Sequence, residues 1–312
     1  MHAIDVLGKP FVIPSADDQF MGPALARSGY WAPTVSQFLA GYFMLHPDGV
    51  FCDIGASSGY FTVLAAEASN GRCRVMAFEP EPHQHACLAE NIRRRDLRGA
   101  TAFASAVGER PGQARLMRHR TNLGDNRIWP GSTGYRDDEW NFEDGLIDVD
   151  VVTLDSALGG ALPSLVKVDV QGYELHVLRG MRETLSRVDE AFFLVCEWTP
   201  KMLRTQGVRP EDVLELLVSY GFSIYAVGPT DSALPVALAE WSGPKGDTAG
   251  SVDLICTKGP FEPRAMAWRP AAHNGERLLE LLVEELNGHE RMASQTVAKL
   301  ERLGYTVRRP RP

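Results

Sequence analysis

Short apolar runs alternate with stretches of helical periodicity over most of the chain. Some runs, such as 50–54 and 192–195, are almost unbroken in their hydrophobicity, which is typical of strands buried on both faces. Strands that alternate with helices predict βαβ units and a mainly parallel sheet in an α/β fold. The predicted strands are residues 50–54, 74–78, 101–107, 149–154, 165–170, 191–198, 222–227 and 252–257, and the predicted helices are residues 34–45, 60–69, 82–95, 174–188 and 210–220.

The pattern changes toward both ends of the chain and indicates three regions. Residues 1–46 are expected to form an N-terminal arm and a helix, with residues 1–30 extended except for one short strand at 11–13. Residues 47–260 are expected to form the α/β domain, and residues 261–312 a helical C-terminal extension.

Leucines in the C-terminal extension recur at helical spacing between residues 274 and 303. Such a spacing predicts one long amphipathic helix, or two shorter ones. The apolar face of this segment would pack either against the rest of the chain or against a second copy. A homodimer formed through residues 274–303 is therefore one expectation, and the sequence leaves both arrangements open.

A long polar segment, residues 120–147, interrupts the alternation of strands and helices. It is rich in glycine and carries Trp129, Tyr135 and Trp140. Loops of this length inside a compact domain are usually functional, and aromatic side chains on a lid can cover a bound ligand. The segment is predicted to be a lid whose aromatic residues contact the substrate.

Composition and charge narrow the class of protein. The 312 residues include 32 Lys plus Arg and 40 Asp plus Glu, which gives a net charge of −8. A general nucleic-acid binder needs a basic face against the phosphates, so a nucleic-acid partner is not expected. No apolar run reaches the ~18 residues of a membrane span, and the five cysteines follow no metal or disulfide spacing. The sequence predicts a cytoplasmic enzyme with reduced thiols, no membrane partner and a small-molecule substrate.

A glycine-rich turn follows the first strand of the domain. Gly55 and Gly59 flank this turn, and a helix begins directly after it, an arrangement that cradles the polar part of a nucleotide-like ligand. Ser57 stands where the dinucleotide fingerprint has the glycine that lets a pyrophosphate approach. Asp53, two residues before the turn, disfavours a phosphate and suits a cationic or zwitterionic ligand.

A second acidic residue ends the next strand. Glu79 lies 20 residues after Gly59, where a carboxylate accepts hydrogen bonds from both hydroxyls of a ribose. NAD and S-adenosylmethionine both carry such a ribose. The sulfonium and amino groups of S-adenosylmethionine fit Asp53 better than a pyrophosphate does, so the residues favour S-adenosylmethionine as the cofactor.

Five segments in series carry a resemblance to a known family. They are FCDIGASSGYFTVLAA, VMAFEPEPHQHACLAENI, ASAVGER, VTLDS and LVKVDVQGYELHVLRGM, within residues 50–200. In order and spacing they resemble the FkbM family of S-adenosylmethionine-dependent methyltransferases. The resemblance implies a Rossmann-like class I methyltransferase fold, with a mainly parallel seven-stranded sheet and helices on both faces. The N-terminal arm and the C-terminal helix lie outside the resemblance.

The resemblance also implies roles for individual residues. Asn122 matches an Asn-x-Gly segment of similar proteins and is expected near the substrate. The family usually has D-V-E-G where this chain has Asp169-Val170-Gln171-Gly172, so Gln171 removes one carboxylate. The implied cofactor-binding residues are Asp53, Gly55, Ala56 and Gly59 around the methionine part, Glu79 at the ribose, and Pro80, Ser105 and Ala106 around the adenine.

Methyl transfer to a hydroxyl requires an in-line approach and gains from a base that takes the hydroxyl proton. The candidates for this base are Asp169 at the end of a strand, His119 at the edge of the long loop, and Glu197 near the end of the following strand. Partial burial is expected to raise the pKa of Asp169 toward neutrality and make it a better proton acceptor. No spacing of carboxylates or histidines requires a metal, so no metal site is expected.

The favoured function is O-methylation of a hydroxyl on a small-molecule natural product or a sugar. N-methylation of a small molecule is an alternative. A nucleotide-dependent oxidoreductase is disfavoured by Asp53 and by the missing middle glycine of the turn. A non-catalytic assembly subunit is disfavoured because the acidic turn and Glu79 are both intact.

Overall fold

The computed structural model describes residues 1–131, 145–227, 236–237 and 251–261. The strands in these ranges are β1 (His2–Val6), β2 (Lys9–Ile13), β3 (Val50–Ile54), β4 (Arg74–Phe78), β5 (Ala100–Phe103), β6 (Ala106–Val107), β7 (Gly112–Met117), β8 (Arg127–Ile128), β9 (Ile147–Val152), β10 (Leu165–Val168), β11 (Phe193–Trp198), β12 (Ser223–Val227), β13 (Val236–Ala237) and β14 (Val252–Thr257). The helices are α1 (Met21–Ser28), α2 (Pro33–Leu45), α3 (Tyr60–Ala68), α4 (Pro82–Arg94), α5 (Leu154–Leu158), α6 (Glu174–Arg179), α7 (Arg182–Arg187), α8 (Pro200–Thr205) and α9 (Pro210–Ser219).

The central sheet has the strand order β13, β12, β14, β11, β10, β3, β4, β5 within the described ranges. The strands from β11 to β5 pair in parallel, and β14 runs antiparallel to both β11 and β12. This arrangement confirms the predicted α/β class with a mainly parallel, Rossmann-like sheet. The strand count differs by one from the predicted seven, because β13 adds a two-residue strand beside β12.

Helices cover both faces of the central sheet, as predicted. Successive residues of β3 enter different hydrophobic clusters, because neighbouring side chains on a strand point to opposite faces. Phe51 packs in the cluster that contains residues of α2 and α3, and Cys52 packs in the cluster that contains residues of α6, α7 and α9. Residues 53 and 167, which are neighbours in the register of β3 and β10, lie on the same face as Phe51.

The N-terminal arm contains more regular structure than the predicted single strand at 11–13. Strands β1 and β2 form an antiparallel hairpin, and the turn between them places Leu7 and Gly8 at φ values of 54° and 70°. Two-residue hairpin turns favour such positive values. The prediction was incomplete because β1 carries only a weak apolar pattern, with three of its five residues exposed.

A second sheet, with the strand order β6, β9, β7, β8, stands beside the central one. The predicted strand 101–107 is in fact two strands, because β5 pairs with β4 whereas β6 pairs with β9. Parts of the predicted lid 120–147 belong to the second sheet, since β8 pairs with β7 and β9 begins at Ile147. Residues 132–144 of the predicted lid lie outside the described residues.

The remaining predictions concern membrane spans, the cysteines and the C-terminal region. No helix in the described part of the chain is long and apolar enough to cross a bilayer. All five cysteines are buried and free, as predicted. The predicted helix at 274–303 and its dimer contact lie outside the described residues, and the boundaries after residues 46 and 260 stay predictions.

Candidate active site

The turn after β3 brings the chain against two neighbouring strands. Gly55 has a φ of 79°, and the N–H groups of Gly55 and Ala56 both donate to the carbonyl oxygen of Phe78 at 3.0 Å. A Cβ atom at position 55 would overlap the carbonyl oxygen of Asp169. Glycine is therefore required where the turn passes between the carboxyl ends of β4 and β10.

The second glycine of the turn starts helix α3. Gly59 has a φ of 91°, and a Cβ atom there would lie 2.5 Å from Cδ1 of Leu88 in α4. Between the glycines, Ser57 has a φ of 51° and donates its N–H to Oε2 of Glu79 at 2.8 Å. The turn thus folds back onto the residue that the sequence predicts to bind a ribose.

Glu79 is a buried carboxylate at the end of β4, with 6% of its surface exposed. Its Oε1 accepts the N–H of Glu81 at 2.8 Å, and its Oε2 accepts the N–H of Ser57. Burial raises the pKa of Glu79 to about 7, against the lowering effect of these two hydrogen bonds. Each carboxylate oxygen can accept a second hydrogen bond, so Glu79 can still receive the hydroxyls of a ligand.

Glu79 lies on the wall of a narrow cavity of about 50 Å³. Pro80 and Ala106 line the same cavity, and so do the apolar side chains of Val107 and Leu116. This apolar slot beside a carboxylate suits a planar ring attached to a ribose. Ser105 is buried next to Ala106 in the chain but is not among the residues that line the cavity.

A wider cavity of about 290 Å³ adjoins the narrow one. Because the two cavities share lining residues at the carboxyl ends of β3 and β10, they form one cleft. Five acidic or basic side chains line it, Asp125, Lys167, Asp169, Glu197 and Asp253, and we refer to the last four as the charged wall. The residues that line both cavities are Gly55, Ser57, Gly124, Asp169 and Gln171.

The N-terminal arm and the turn at residues 121–126 meet at the wider cavity. Gln19 donates its N–H to the carbonyl oxygen of Thr121 at 2.9 Å, and Asp18 accepts the N–H of Leu123 at 3.4 Å. Asn122 lines the cavity, and its place near a substrate stays a prediction. The sequence did not predict that the N-terminal arm contributes to the site.

Lys167 brings a buried positive charge to the charged wall. It is 3% exposed, and its Nζ lies 3.0 Å from Oδ2 of Asp169 and 4.6 Å from the centroid of the Phe61 ring. Burial alone would lower its pKa, but the carboxylates of Asp169 and Asp53 outweigh burial and raise it. Lys167 was not among the site residues predicted from the sequence, although a lysine inside the apolar run LVKV is a signal that a partner charge lies nearby.

The pKa of Asp169 is shifted opposite to the prediction. Burial does raise the pKa of this carboxyl, but the Lys167 ammonium and the hydrogen bonds from Lys167, Gln171 and Glu197 together outweigh burial and hold the pKa below its ordinary value. The prediction was wrong because it left out Lys167, whose side chain lies on the same face of the strand two residues earlier. Asp169 is therefore ionised at neutral pH and is a weak base.

The pKa of Glu197 is shifted upward, in the opposite direction to that of Asp169. Its Oε2 accepts a hydrogen bond from Nε2 of Gln171 at 3.0 Å, and its Oε1 accepts the hydroxyl of Ser251. Burial and repulsion from Asp169 raise the pKa of Glu197 well above its ordinary value. Asp253, its register partner on β14, has a pKa raised to about 6 by burial and by Asp169. Neighbouring carboxyls with well-separated pKa values are typical of acid–base sites.

Asp53 lies beneath the cleft and is not among the residues that line the two cavities. It is 1% exposed, and its Oδ2 accepts the hydroxyl of Thr62 at 2.7 Å. Its Oδ1 is buried without a hydrogen-bond partner among the described residues. Burial raises the pKa of Asp53, against the opposing charge of Lys167. A direct contact between Asp53 and the methionine part of a cofactor stays a prediction.

His119 holds the turn that carries Asn122. Its Nδ1 accepts the N–H groups of Thr121 and Asn122 at 3.2 and 2.9 Å, and burial lowers its pKa. The imidazole is therefore neutral at neutral pH, with Nδ1 used as an acceptor. His119 is not among the lining residues of either cavity, and a role as base stays a prediction.

The predicted aromatic substrate contacts fall in different places. Trp129 lines a separate surface groove, where its ring lies 3.7 Å from the guanidinium of Arg115. Tyr135 and Trp140 lie outside the described residues. The aromatic residues that line the wider cavity come instead from the N-terminal arm and α3: Phe20, Trp31, Tyr60 and Phe61.

Comparisons with known proteins point to one family. The sequence profile described as "Methyltransferase FkbM domain" matches residues 53–224. The 2-O-methyltransferase NoeI of Sinorhizobium fredii is 30% identical over 189 residues, which are 56% of this chain and 73% of NoeI. The hexuronic acid methyltransferase AglP of Haloferax volcanii is 27% identical over 175 residues, which are 54% of this chain and 62% of AglP.

A solved structure shows a weaker likeness. The crystal structure described as methyltransferase FkbM from Methylobacillus flagellatus is 17% identical in sequence, with a TM-score of 0.42. The match covers 67% of this chain and 44% of that one.

Proposed function

We propose, from the premise that this chain belongs to the FkbM methyltransferase family and is a methyltransferase, that it methylates a hydroxyl group of a sugar with S-adenosylmethionine as the donor. One observation carries the proposal. A single cleft joins a buried carboxylate, Glu79, to a charged wall on which Asp169 and Glu197 have oppositely shifted pKa values.

The residues that line the narrow cavity suit the two parts of the nucleoside of the proposed donor. Glu79 retains acceptor positions for the two ribose hydroxyls, and Pro80 and Ala106 border an apolar slot for the adenine. Gly55 and Ser57 line the same cavity, so the glycine turn borders the proposed ligand. Bound S-adenosylmethionine would supply a methyl group activated by a sulfonium.

The wider cavity is the proposed site for the acceptor. Its carboxylates can accept hydrogen bonds from hydroxyl groups, and Trp31 and Tyr60 offer aromatic surface for the apolar part of a ligand. NoeI is named as a 2-O-methyltransferase and AglP as a hexuronic acid methyltransferase. These names support a hydroxyl acceptor on a sugar for this chain.

Glu197 is the proposed base. A general base must be ionised to accept a proton, and it works best when its pKa lies near the working pH. Asp169 is ionised but weakly basic, whereas Glu197 is the stronger base once it loses its proton. In this role Glu197 would take the hydroxyl proton as the hydroxyl oxygen gains the methyl group, which bound S-adenosylmethionine would supply with its sulfur as the leaving atom.

Binding and turnover measurements on the purified protein test this function. Calorimetry should show saturable binding of S-adenosylhomocysteine and none of NAD. With S-adenosylmethionine present, S-adenosylhomocysteine should be released for at least one member of a panel of neutral sugars, hexuronates and their glycosides. Absence of S-adenosylhomocysteine binding, or no release with any member of the panel, would contradict the proposal.

A matched pair of variants tests the assignment of the base. Glu197→Gln keeps the shape of the side chain and should lower kcat by about 10²-fold or more, with the affinity for S-adenosylhomocysteine nearly unchanged. Gln113→Glu, an exposed change on β7, should leave both quantities at the wild-type level. Retained turnover in Glu197→Gln would move the assignment to Asp169, which Asp169→Asn then tests.

A further inference from the structure

Gln171 joins the two carboxylates that the proposed reaction uses. Its Nε2 lies 2.7 Å from Oδ1 of Asp169 and 3.0 Å from Oε2 of Glu197. A primary amide nitrogen carries two hydrogens, and a carboxyl oxygen accepts in either protonation state, so each of the two carboxyl groups receives one hydrogen. The other oxygens are held by Nζ of Lys167 on Asp169 and by the hydroxyl of Ser251 on Glu197. Each of the two carboxyl groups is therefore oriented by one hydrogen-bond donor at each of its two oxygens.

The backbone presents Gln171 from a constrained turn. Gln171 has a φ of 55°, a conformation that is uncommon for residues other than glycine and that tends to persist at functional sites. Oε1 of Glu174 accepts the N–H groups of Val170 and Gly172 on either side, at 3.2 and 3.0 Å. A Cβ atom on Gly172 would lie 2.7 Å from the carbonyl oxygen of Met202. The hydrogen bonds to Glu174 and the close packing against Met202 therefore both restrict the conformation of the turn.

The charges around this pair are unevenly distributed. Asp169 has the Lys167 ammonium as a direct partner. Glu197 accepts hydrogen bonds from two neutral groups, the amide of Gln171 and the hydroxyl of Ser251. The ionisable groups that face the pair from the surrounding elements are Asp53 of β3, Lys167 of β10, Glu174 of α6 and Asp253 of β14.

We propose that Gln171 is a positioning residue that donates one amide hydrogen to Asp169 and one to Glu197, and so holds the two carboxylates side by side and keeps Glu197 able to take the hydroxyl proton. This inference rests on the proposed function. It differs from a purely structural role, because loss of the amide changes the proton equilibrium of Glu197 as well as the shape of the turn.

Carbon-13 NMR of protein labelled at its carboxyl carbons tests the inference directly. The resonance of Glu197 is assigned from its absence in Glu197→Gln. In Gln171→Met the side chain keeps its length but donates no hydrogen bond, so ionised Glu197 loses a donor and its titration midpoint should rise by about one pH unit or more. The exposed change Gln113→Met serves as the control and should leave the midpoint in place.

A second variant keeps the inference testable if Gln171→Met does not fold. Gln171→Asn keeps an amide and suits the left-handed backbone conformation, but it is one methylene shorter and cannot bridge both carboxylates. It should raise the Glu197 midpoint in the same direction. An unchanged midpoint in a folded Gln171 variant would overturn the inference.

Turnover supplies the independent readout. The pH at which turnover reaches half its maximum should rise in Gln171→Met by about the shift of the Glu197 midpoint, with little change in the KM for S-adenosylmethionine. A loss of turnover that is equal at every pH would indicate a structural role and overturn the inference. If the wild-type protein methylates no sugar of the panel but the midpoint moves, the proposed function fails and the bridging role of Gln171 stands.

Discussion

At the scale of single residues, buried carboxylates make the stability of this protein depend on pH. Glu174 is 1% exposed, and its Oε2 has no hydrogen-bond partner among the described residues. Burial raises its pKa from 4.5 to about 7. The folded protein therefore keeps a proton that the unfolded chain releases above about pH 4.5. The contribution of Glu174 to the free energy of unfolding falls as the pH rises from about 4.5 to 7.

Glu174→Gln should remove this dependence. The amide oxygen can still accept the N–H groups of Val170 and Gly172, and no charge is buried. Relative to wild type, the free energy of unfolding of the variant should increase between pH 5 and pH 8 by up to about 3 kcal/mol, as measured by urea unfolding. The exposed change Glu183→Gln should show only a small difference at either pH. A difference between Glu174→Gln and wild type that is equal at both pH values would refute the prediction.

Glu79 should make the affinity for the cofactor product depend on pH. Ribose hydroxyls donate to the ionised carboxylate, whose pKa in the free protein is about 7. The affinity for S-adenosylhomocysteine should therefore level off above pH 7 and fall by up to about tenfold per pH unit below it. Calorimetry between pH 5.5 and 8 measures this, and Glu79→Gln should bind more weakly with a flat profile. A flat profile in the wild-type protein would exclude the ribose role.

A short spacing along the sequence was enough to place one residue in the cleft, although its role as the ribose ligand stays a prediction. Glu79 was found because its distance from the glycine turn matches a known geometry, and it lies beside Pro80 in the narrow cavity. The direction of the pKa shift of Asp169 could not be predicted from burial alone. It depends on the distance between two side chains, those of Lys167 and Asp169, which only the folded strand fixes.

At the scale of elements, the strands that are apolar throughout were predicted best. Strands β3 and β4 match the predicted ranges 50–54 and 74–78, because turn residues bound each run. The break between β5 and β6 was not predicted, since the run 101–107 stays apolar while the chain passes from one sheet to the other. The hydrophobicity of a segment predicts that the segment is buried, but it does not predict with which strand the segment pairs.

Two glycine variants separate backbone strain from crowding at the turn that joins β3 to α3. Gly55 and Gly71 have similar φ values, 79° and 72°, but a Cβ atom on Gly71 would meet no atom within 4 Å. Gly71→Ala should cost about 1–2 kcal/mol from the left-handed backbone alone. Gly55→Ala should cost several kcal/mol more, because its Cβ would displace the end of β10. Urea unfolding measures both, and equal losses would show that crowding at position 55 is unimportant.

At the scale of the whole molecule, one buried amide ties the N-terminal arm to the cleft. Nδ2 of Asn91 donates to the carbonyl oxygens of Val12 and Ser58, both at 2.8 Å, and its Oδ1 accepts the N–H of Val12 at 2.7 Å. Strand β2 and the glycine turn are therefore held by the same side chain of α4. The arm, which lies outside the family resemblance, is in this way coupled to the proposed cofactor site.

Asn91→Ala should loosen this coupling. Both polar groups of Val12 would lose a buried partner, so the free energy of unfolding should fall by about 2–4 kcal/mol. Hydrogen exchange of residues 2–13 should become faster, and the affinity for S-adenosylhomocysteine should decrease. Arg94→Ala, an exposed change on the same helix, is the control for all three measurements. Unchanged exchange in β1 and β2 would show that the arm is held by other contacts.

The position of β14 constrains how the molecule can be completed during synthesis. It is the last of the described strands in the chain, yet it lies between β11 and β12 in the central sheet. A ribosome delivers β11 and β12 well before residues 252–257, and each of these strands then presents an edge with unpaired backbone groups. Such edges invite pairing with other chains. Translation that stalls before β14 should therefore yield a nascent chain prone to aggregation and dependent on chaperones, even though most of the cleft residues have already been made.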